Sequence, residues 1–158
     1  MFVLDMAGHL IRRLHQQSSA VFVQRIQEAG FDLTPVQFAA LDAINTHPGA
    51  DQALVAEKIG YDRATIGGVI ERLVTKGWVR RVVSAQDRRS RELSLTAKGN
   101  KVRIAVQPYV QDLQAEILMP LSDAEQAKLV QLIRKVVMAT GASDATKLNS
   151  RIKTTNRP

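Results

Sequence analysis

The chain has 158 residues, of which 45% are hydrophobic and 23% charged, an ordinary composition for a folded domain. It contains no cysteine, which excludes disulfides, thiolate metal sites and cysteine-based redox sensing. The formal net charge is +7, and ten of the 22 lysines and arginines lie between residues 59 and 101, against four acidic residues. Such a basic segment is typical of a polyanion partner, most often nucleic acid, although a solvated basic surface has the same composition.

The first residues do not have the pattern of a targeting signal. No apolar stretch is long enough to span a bilayer. Asp5 interrupts the first apolar stretch and the arginines follow it, which is the wrong order for a secretory signal. We therefore expect a cytoplasmic protein with no membrane partner.

Three helices are predicted in the first 60 residues. Apolar residues recur every three or four positions from Leu10 to Ile26, which predicts a long first helix that ends near Gly30. Thr34 and Gln37 form a capping-box pattern for a second helix. Residues 51–59 then form a short third helix capped by Asp51.

The short third helix and the following segment have a helix-turn-helix pattern. Gly60 provides the turn, and apolar residues from Ile66 to Leu73 give the next helix, over 63–76, a core face. Helix–glycine–helix segments also occur in other all-α proteins, so the pattern alone leaves both interpretations open. If this helix enters a major groove, its outward and flanking residues contact DNA; they are Arg63, Thr65, Gly68 and Arg72.

The pair Gly67-Gly68 is unusual in a helix interior, where each glycine costs about 0.5–1 kcal/mol relative to alanine. Either the helix is weak at this pair, or something approaches it closely. We expect a DNA backbone or base edge, and a neighbouring helix is the open alternative.

A β-hairpin is predicted after Gly77. The β-rich segments WVRRVV and ELSL flank a loop that contains Asp87, Arg88 and Arg89, with Arg91 just after it. A hairpin in this place is a wing, and an arginine at its tip can enter the minor groove of DNA, although a solvated turn without a partner is the open alternative. Asp87 can hold a neighbouring arginine in place by a bidentate ion pair.

The predicted fold is mainly α with a small β-hairpin wing. Thr96 caps a long helix, and the capping box at 122–125 opens a final one. We expect one domain over 1–142, with the winged helix-turn-helix at about 31–96 and dimerisation helices at about 5–30 and 97–140. Their apolar stripes are too extensive for so small a domain to bury alone. Residues 143–158 form a basic tail.

These residues resemble the MarR family of bacterial winged-helix transcription regulators over about 7–140. The most specific part is D-x-R followed by L-x-L-T-x-x-G, which here runs from Asp87 to Gly99. The resemblance implies an obligate homodimer on a pseudo-palindromic operator, with Arg89 in the minor groove, Asp87 as its support and 63–76 as recognition helix. Many members carry larger polar residues where this chain has Gly67-Gly68.

The resemblance also implies regulation by a small molecule, since family members respond to small, often aromatic, anions or to cysteine oxidation. The segment GHLIRRLHQ is similar to the start of members that control aromatic-acid degradation. Arginine suits a carboxylate, and histidine offers a donor near neutral pH. Our hypothesis is an aromatic carboxylate or its thioester, with contacts from His9, Arg13, His15 and Gln16. A solvated or intersubunit role for these residues stays open.

Other classes of function fare worse. The three histidines lack metal-ligand spacing, and no phosphate loop or nucleophile motif indicates an enzyme, so we expect no cofactor. Aromatic residues make up 4% of the chain, and we place Trp78 and Tyr109 in the core, which favours duplex over single-stranded DNA. The remaining alternative is a ligand-independent architectural DNA-binding protein. A winged helix used only for protein interaction is disfavoured by the arginine-rich loop.

Overall fold

The computed structural model describes residues 2–83 and 91–139. The predictions for Asp87, Arg88 and Arg89 and for the basic tail at 143–158 therefore lie outside the described residues. The chain divides into two compact units, of which the first ends at Ile117 and the second begins at Leu118.

The order of elements agrees with the predicted fold, which is mainly helical with one two-stranded antiparallel hairpin. A short 3-10 turn, Phe2–Asp5, comes before the first helix. The elements of the first unit are α1 (Ala7–Glu28), α2 (Pro35–Thr46), α3 (Gln52–Ile59), α4 (Arg63–Thr75), β1 (Val79–Val83), β2 (Arg91–Leu95) and α5 (Ala97–Ile117). In the second unit, α6 spans Asp123–Ala139.

Side-chain caps fix where the helices begin. At α2, the Gln37 amide N–H donates to the Thr34 hydroxyl at 3.3 Å, and the Thr34 amide donates to the Gln37 side chain at 3.2 Å. This reciprocal pair is the predicted capping box, and it explains how the polar Gln37 can be buried. The predicted cap of α3 is also present, since the Asp51 carboxylate accepts from the Leu54 amide at 2.8 Å.

The core of the first unit lies where the helix-turn-helix, the hairpin and α5 meet. Helices α1 to α5 each contribute part of the apolar stripe that their spacing predicts. Fully buried large side chains are Ile26, Leu41, Val55, Ile66, Ile70, Leu73, Val79, Leu93 and Val106. Burying each of these side chains stabilises the fold by about 1.5–3 kcal/mol. Because the buried side chains of α4 all lie on one face, the opposite face of this helix stays exposed.

The hairpin is half-buried in an irregular way. Val79 pairs with Leu95, and Arg81 pairs with Leu93. Only Val79 of β1 is buried, and the rest of the strand is exposed. Because one buried residue is enough to anchor β1, the segment WVRRVV needs no regular alternation of apolar and polar residues.

A tight joint connects the base of the hairpin to α5. The Thr96 hydroxyl donates to the carbonyl oxygen of Gly77 at 2.7 Å and accepts from the Gly99 amide at 3.0 Å, which confirms Thr96 as the cap. The Thr96 amide donates to the Trp78 carbonyl at 3.0 Å. A Cβ added at Gly99 would overlap that carbonyl group, so only glycine allows α5 to begin this close to the hairpin.

Two aromatic positions differ in outcome. Trp78 is buried, as predicted, and the ammonium of Lys76 lies 4.7 Å from its ring centroid. The core position predicted for Tyr109 is wrong, because the side chain is 44% exposed and meets the Phe31 ring at a centroid distance of 6.3 Å. Its place in the three-to-four spacing is correct, but it lies at the edge of the buried stripe.

Helix α6 begins with the predicted capping box. The Ser122 amide and hydroxyl both donate to the Glu125 carboxylate, at 2.9 and 2.7 Å. These bonds lower the pKa of Glu125, with the hydroxyl bond as the larger cause. No described residue of α6 is buried, and most of its large apolar side chains are exposed. This helix therefore adds no side chain to the core of the described residues.

Candidate nucleic-acid interface

The helix-turn-helix consists of α3, a turn at Gly60 and α4. Gly60 has φ +71°, a left-handed backbone conformation that suits glycine. Ala56 is buried, as expected for a small residue where α3 and α4 pack closely. The turn therefore sets the angle at which α4 leaves the core.

Asp62 caps the start of α4. Its carboxylate accepts from the Thr65 amide at 2.9 Å and from the Thr65 hydroxyl at 2.6 Å. These bonds, the hydroxyl bond first, lower the pKa of Asp62 and keep it ionised. The sequence analysis missed Asp62, although an aspartate directly before an apolar-periodic helix is a recognisable capping signal. The predicted DNA contact Thr65 thus has its hydroxyl directed back to the cap.

The predicted outward face of α4 is exposed along its length. Ile66, Val69, Ile70 and Leu73 face the core. The exposed positions are Arg63, Ala64, Thr65, Gly68, Glu71, Arg72 and Thr75. Arg63 lies in the first turn and Arg72 in the last, so a guanidinium stands near each end of a face whose centre carries only small side chains.

Gly67 and Gly68 have different surroundings. A Cβ on Gly67 would lie 3.1 Å from the side-chain nitrogen of Gln52 in α3. A Cβ on Gly68 would meet no atom of the described residues within 4 Å. Close approach of another helix thus accounts for Gly67, which was the alternative left open, whereas Gly68 opens to the outside.

An ion pair connects the hairpin to α4. Arg81 of β1 donates to the Glu71 carboxylate of α4 at 2.6 Å. Their side chains are 33% and 61% exposed, so the pair lies at the surface and fixes orientation more than it adds stability. Sequence reasoning missed this pair, since no spacing rule places a strand residue beside a preceding helix.

The described part of the hairpin brings further basic residues to the same region of the fold. The Arg80 guanidinium donates to the Ser94 hydroxyl across the strands at 2.9 Å. Arg91 starts β2, pairs with Val83 and is exposed. The strands therefore present arginines on both sides of the segment that contains Arg88 and Arg89.

The four predicted ligand contacts all lie in the N-terminal half of α1. At 100° per residue, His9, Arg13 and Gln16 share one face of this continuous helix, and His15 lies about 120° away from His9. His9 is half-buried, and the other three are exposed. Gln16 accepts from the guanidinium of Arg12 at 3.1 Å. The helix thus brings together three of the four predicted residues.

A pocket of about 400 Å³ lies elsewhere, between the C-terminal end of α1 and α5. Arg25, Glu28, Tyr109, Asp112 and Glu116 are among its lining residues, and none of the predicted ligand contacts is. The Arg25 guanidinium donates to Glu116 at 2.6 Å, a bond that raises the pKa of Arg25. With this arginine already paired and three carboxylates around it, the pocket does not suit a free carboxylate ligand.

Within 2–83 and 91–139, no group of three histidine, cysteine or acidic side chains could hold a metal ion. No described helix combines the length and apolar character needed to cross a bilayer.

The helix-turn-helix followed by a hairpin defines a winged helix-turn-helix protein. The MarR family model matches residues 31–90, the segment that contains the helix-turn-helix and the first strand of the hairpin. The transcriptional regulator HosA of Escherichia coli O157:H7 is 36% identical over 137 residues, which cover 87% of this chain and 98% of HosA. The chain therefore belongs to the MarR family of transcriptional regulators, which are DNA-binding proteins and not enzymes.

A further relative and three solved structures support the assignment. The repressor NicR of Pseudomonas putida is 30% identical, covering 85% of this chain and 84% of NicR. PcaV of Streptomyces coelicolor, solved with its natural ligand, has a TM-score of 0.78 and 35% identity, covering 87% of this chain and 96% of PcaV.

Bordetella bronchiseptica BpsR, whose DNA binding is regulated by 6-hydroxynicotinic acid, has a TM-score of 0.78 and 30% identity, covering 85% of this chain and 94% of BpsR. A mutant of E. coli MarR complexed with operator DNA has a TM-score of 0.74 and 28% identity, covering 82% of this chain and 91% of that one.

Proposed function

We propose that the protein is a homodimeric repressor that binds a pseudo-palindromic operator and is released by an aromatic carboxylate or its thioester. The observation that carries the DNA part is the exposed face of α4, with Arg63 and Arg72 near its ends and the hairpin tied beside it by Glu71 and Arg81. A helix presented in this way fits a major groove, where arginine pairs with guanine and phosphate.

In this proposal the wing reads the minor groove next to the recognition helix. Arg89 is the inserted guanidinium, Asp87 orients it, and Arg88 and Arg91 contact phosphates. The supporting arguments are the concentration of arginine in this segment and the anchored strands on either side of it. A narrow minor groove attracts guanidinium groups because of its negative potential.

Dimerisation is supported by apolar surface outside the core. Leu10 and Ile11 of α1 are 49% and 65% exposed, and Ile133 and Met138 of α6 are 44% and 73% exposed. On each of these two helices, apolar side chains exposed to this extent mark an interaction surface. A twofold dimer would bury them and would place two recognition helices about one helical turn of DNA apart.

The DNA part is tested with three variants and a duplex selected from a random pool by the wild-type protein. Arg72→Ala and Arg89→Ala should each weaken binding to this duplex by about 1–3 kcal/mol, measured by fluorescence anisotropy. Lys128→Ala removes one exposed positive charge from α6, a helix to which we assign no DNA contact, and serves as the control. If both arginine variants bind as tightly as wild type, the assigned interface is wrong.

The effector part rests on the face of α1 that carries His9, Arg13 and Gln16. Among the described residues, no carboxylate pairs with Arg13. Its guanidinium can therefore form an ion pair with the carboxylate of a ligand. The regulation of BpsR by an aromatic carboxylic acid supports this chemistry. His15 lies on a different face of the helix and would contact the same ligand only from a second subunit.

A panel of aromatic acids and their thioesters tests the effector. We expect one class to raise the melting temperature and to release the selected duplex. Arg13→Gln should remove both effects, whereas Lys128→Gln, in a helix to which we assign no ligand contact, should keep them. If no acid or thioester shifts melting or releases the duplex, the effector proposal fails and the architectural alternative gains support.

A further inference from the structure

The centre of the recognition helix contains two glycines that reduce its stability. In a helix interior each costs about 0.5–1 kcal/mol relative to alanine. The two positions have different environments, so one explanation cannot serve both. Gly67 faces α3, and Gly68 faces outward.

Contacts inside the protein account for Gly67. The side-chain amide of Gln52 lies against this position and donates to the carbonyl oxygen of Arg63 at 3.2 Å. The bond joins the first turn of α3 to the first turn of α4. A methyl group on Gly67 would press on this amide at 3.1 Å, so a small residue here lets the two helices interlock.

No described contact inside the protein accounts for Gly68. A Cβ there would meet no atom of residues 2–83 and 91–139 within 4 Å. The neighbouring exposed positions on its N-terminal side are Ala64 and Thr65, and the Thr65 hydroxyl donates to Asp62. On the C-terminal side, Glu71 is held by Arg81. The middle of the outward face is thus a smooth patch of backbone and methyl groups.

We propose that Gly68 is a specificity-determining residue, whose bare backbone lets the floor of the major groove come into van der Waals contact with α4. This inference rests on the proposed function, in which α4 enters that groove. The patch formed by Ala64, Thr65 and Gly68 offers no free side-chain donor, so it suits an apolar feature of the groove. The apolar feature that distinguishes bases there is the C5-methyl group of thymine.

The first test compares Gly68→Ala with its neighbour Gly67→Ala and with wild type. Gly68→Ala should melt at the wild-type temperature or above, because alanine favours the helix and meets open space. It should bind the selected duplex about fivefold more weakly or worse, since the added methyl holds the groove away. Gly67→Ala, whose methyl points to α3, should bind the duplex almost as well as wild type.

A second test removes the C5-methyl group of thymine from the DNA. Replacing thymines of the selected duplex one at a time with uracil should identify one position per half-site where wild-type affinity falls about threefold to fivefold. At that position the same replacement should have a smaller effect on Gly68→Ala, because its helix already stands off from the groove. If the uracil replacement weakens wild type and Gly68→Ala by the same factor, the thymine methyl group is not the partner of Gly68.

The results of these tests distinguish failure of the role assigned to Gly68 from failure of the proposed DNA-binding function. If wild type selects a duplex and Arg72→Ala weakens it, but Gly68→Ala binds normally, the inference fails and the proposed function stands. Equal losses in Gly67→Ala and Gly68→Ala would also overturn it, since stiffening of the helix would explain both. If wild type selects no duplex, or Arg72→Ala has no effect, the proposed function fails and the inference falls with it.

Discussion

The joint between α5 and the hairpin makes Gly99→Ala the most informative stability variant. The new Cβ would overlap the carbonyl oxygen of Trp78 and lie 2.7 Å from its carbonyl carbon and 2.9 Å from its Cα. Favourable contacts between carbon atoms need about 3.5–4.0 Å, so the start of α5 must retreat by about 1 Å. All three atoms belong to the backbone, and no rotamer change can relieve the overlap.

The size of the effect follows from three contributions. Overpacking of this kind costs about 1–3 kcal/mol. The retreat also weakens the two bonds of the Thr96 hydroxyl, at about 0.5–1.5 kcal/mol each. The higher helix propensity of alanine returns about 1 kcal/mol. We expect a net loss of about 2–4 kcal/mol, which lowers the melting temperature by about 5–15 °C.

Scanning calorimetry and urea unfolding measure this loss. Gly68→Ala is the matched control, because it makes the same substitution in another helix and meets open space. Its melting temperature should stay level or rise while that of Gly99→Ala falls. A melting temperature for Gly99→Ala within about 2 °C of wild type would refute the close packing of α5 on the hairpin.

Three other substitutions test the local contacts. Thr96→Val removes the hydroxyl that links α5 to the start of β1, and urea unfolding should show a loss of about 1–2 kcal/mol. Asp62→Asn should melt below wild type at neutral pH. Because the folded-state pKa of Asp62 is lowered, its stabilisation is present above the unfolded-state pKa and is lost as pH falls through the folded-state value, so the difference should vanish in acid. Glu71→Gln frees Arg81 and should reduce the ratio of selected to scrambled duplex binding, measured by anisotropy, with melting almost unchanged; an unaltered ratio would contradict the positioning role of the pair.

The elements of the fold could be predicted because their signals are local. Thr34, Asp51 and Thr96 cap helices within three residues of their own positions, and Gly60 marks a turn by its own backbone conformation. The core face of α4 follows from helical spacing in the same way. Each of these features depends on residues that are close together along the chain, so it can be recognised from a single sequence.

The contacts that position the candidate site depend on residues distant in sequence. Glu71 and Arg81 meet only because the hairpin folds back beside α4, and Gln52 reaches Gly67 only because α3 crosses α4. The sequence therefore indicates that the glycine pair is unusual, but it cannot show that the side chain of Gln52 lies against Gly67 and that Gly68 faces open space. Tyr109 shows the same limit, since periodicity gives the direction of a side chain and not the edge of the core.

The central claim is that α4 and the hairpin read a specific duplex. The most direct measurement is an anisotropy titration of the purified protein on DNA from upstream of its own gene and on a scrambled duplex, at two salt concentrations. We predict a preference of about a thousandfold or more for the upstream DNA, maintained at the higher salt concentration. Equal binding to both duplexes that weakens steeply with salt would mean that phosphate contacts alone hold the DNA, and it would contradict the claim.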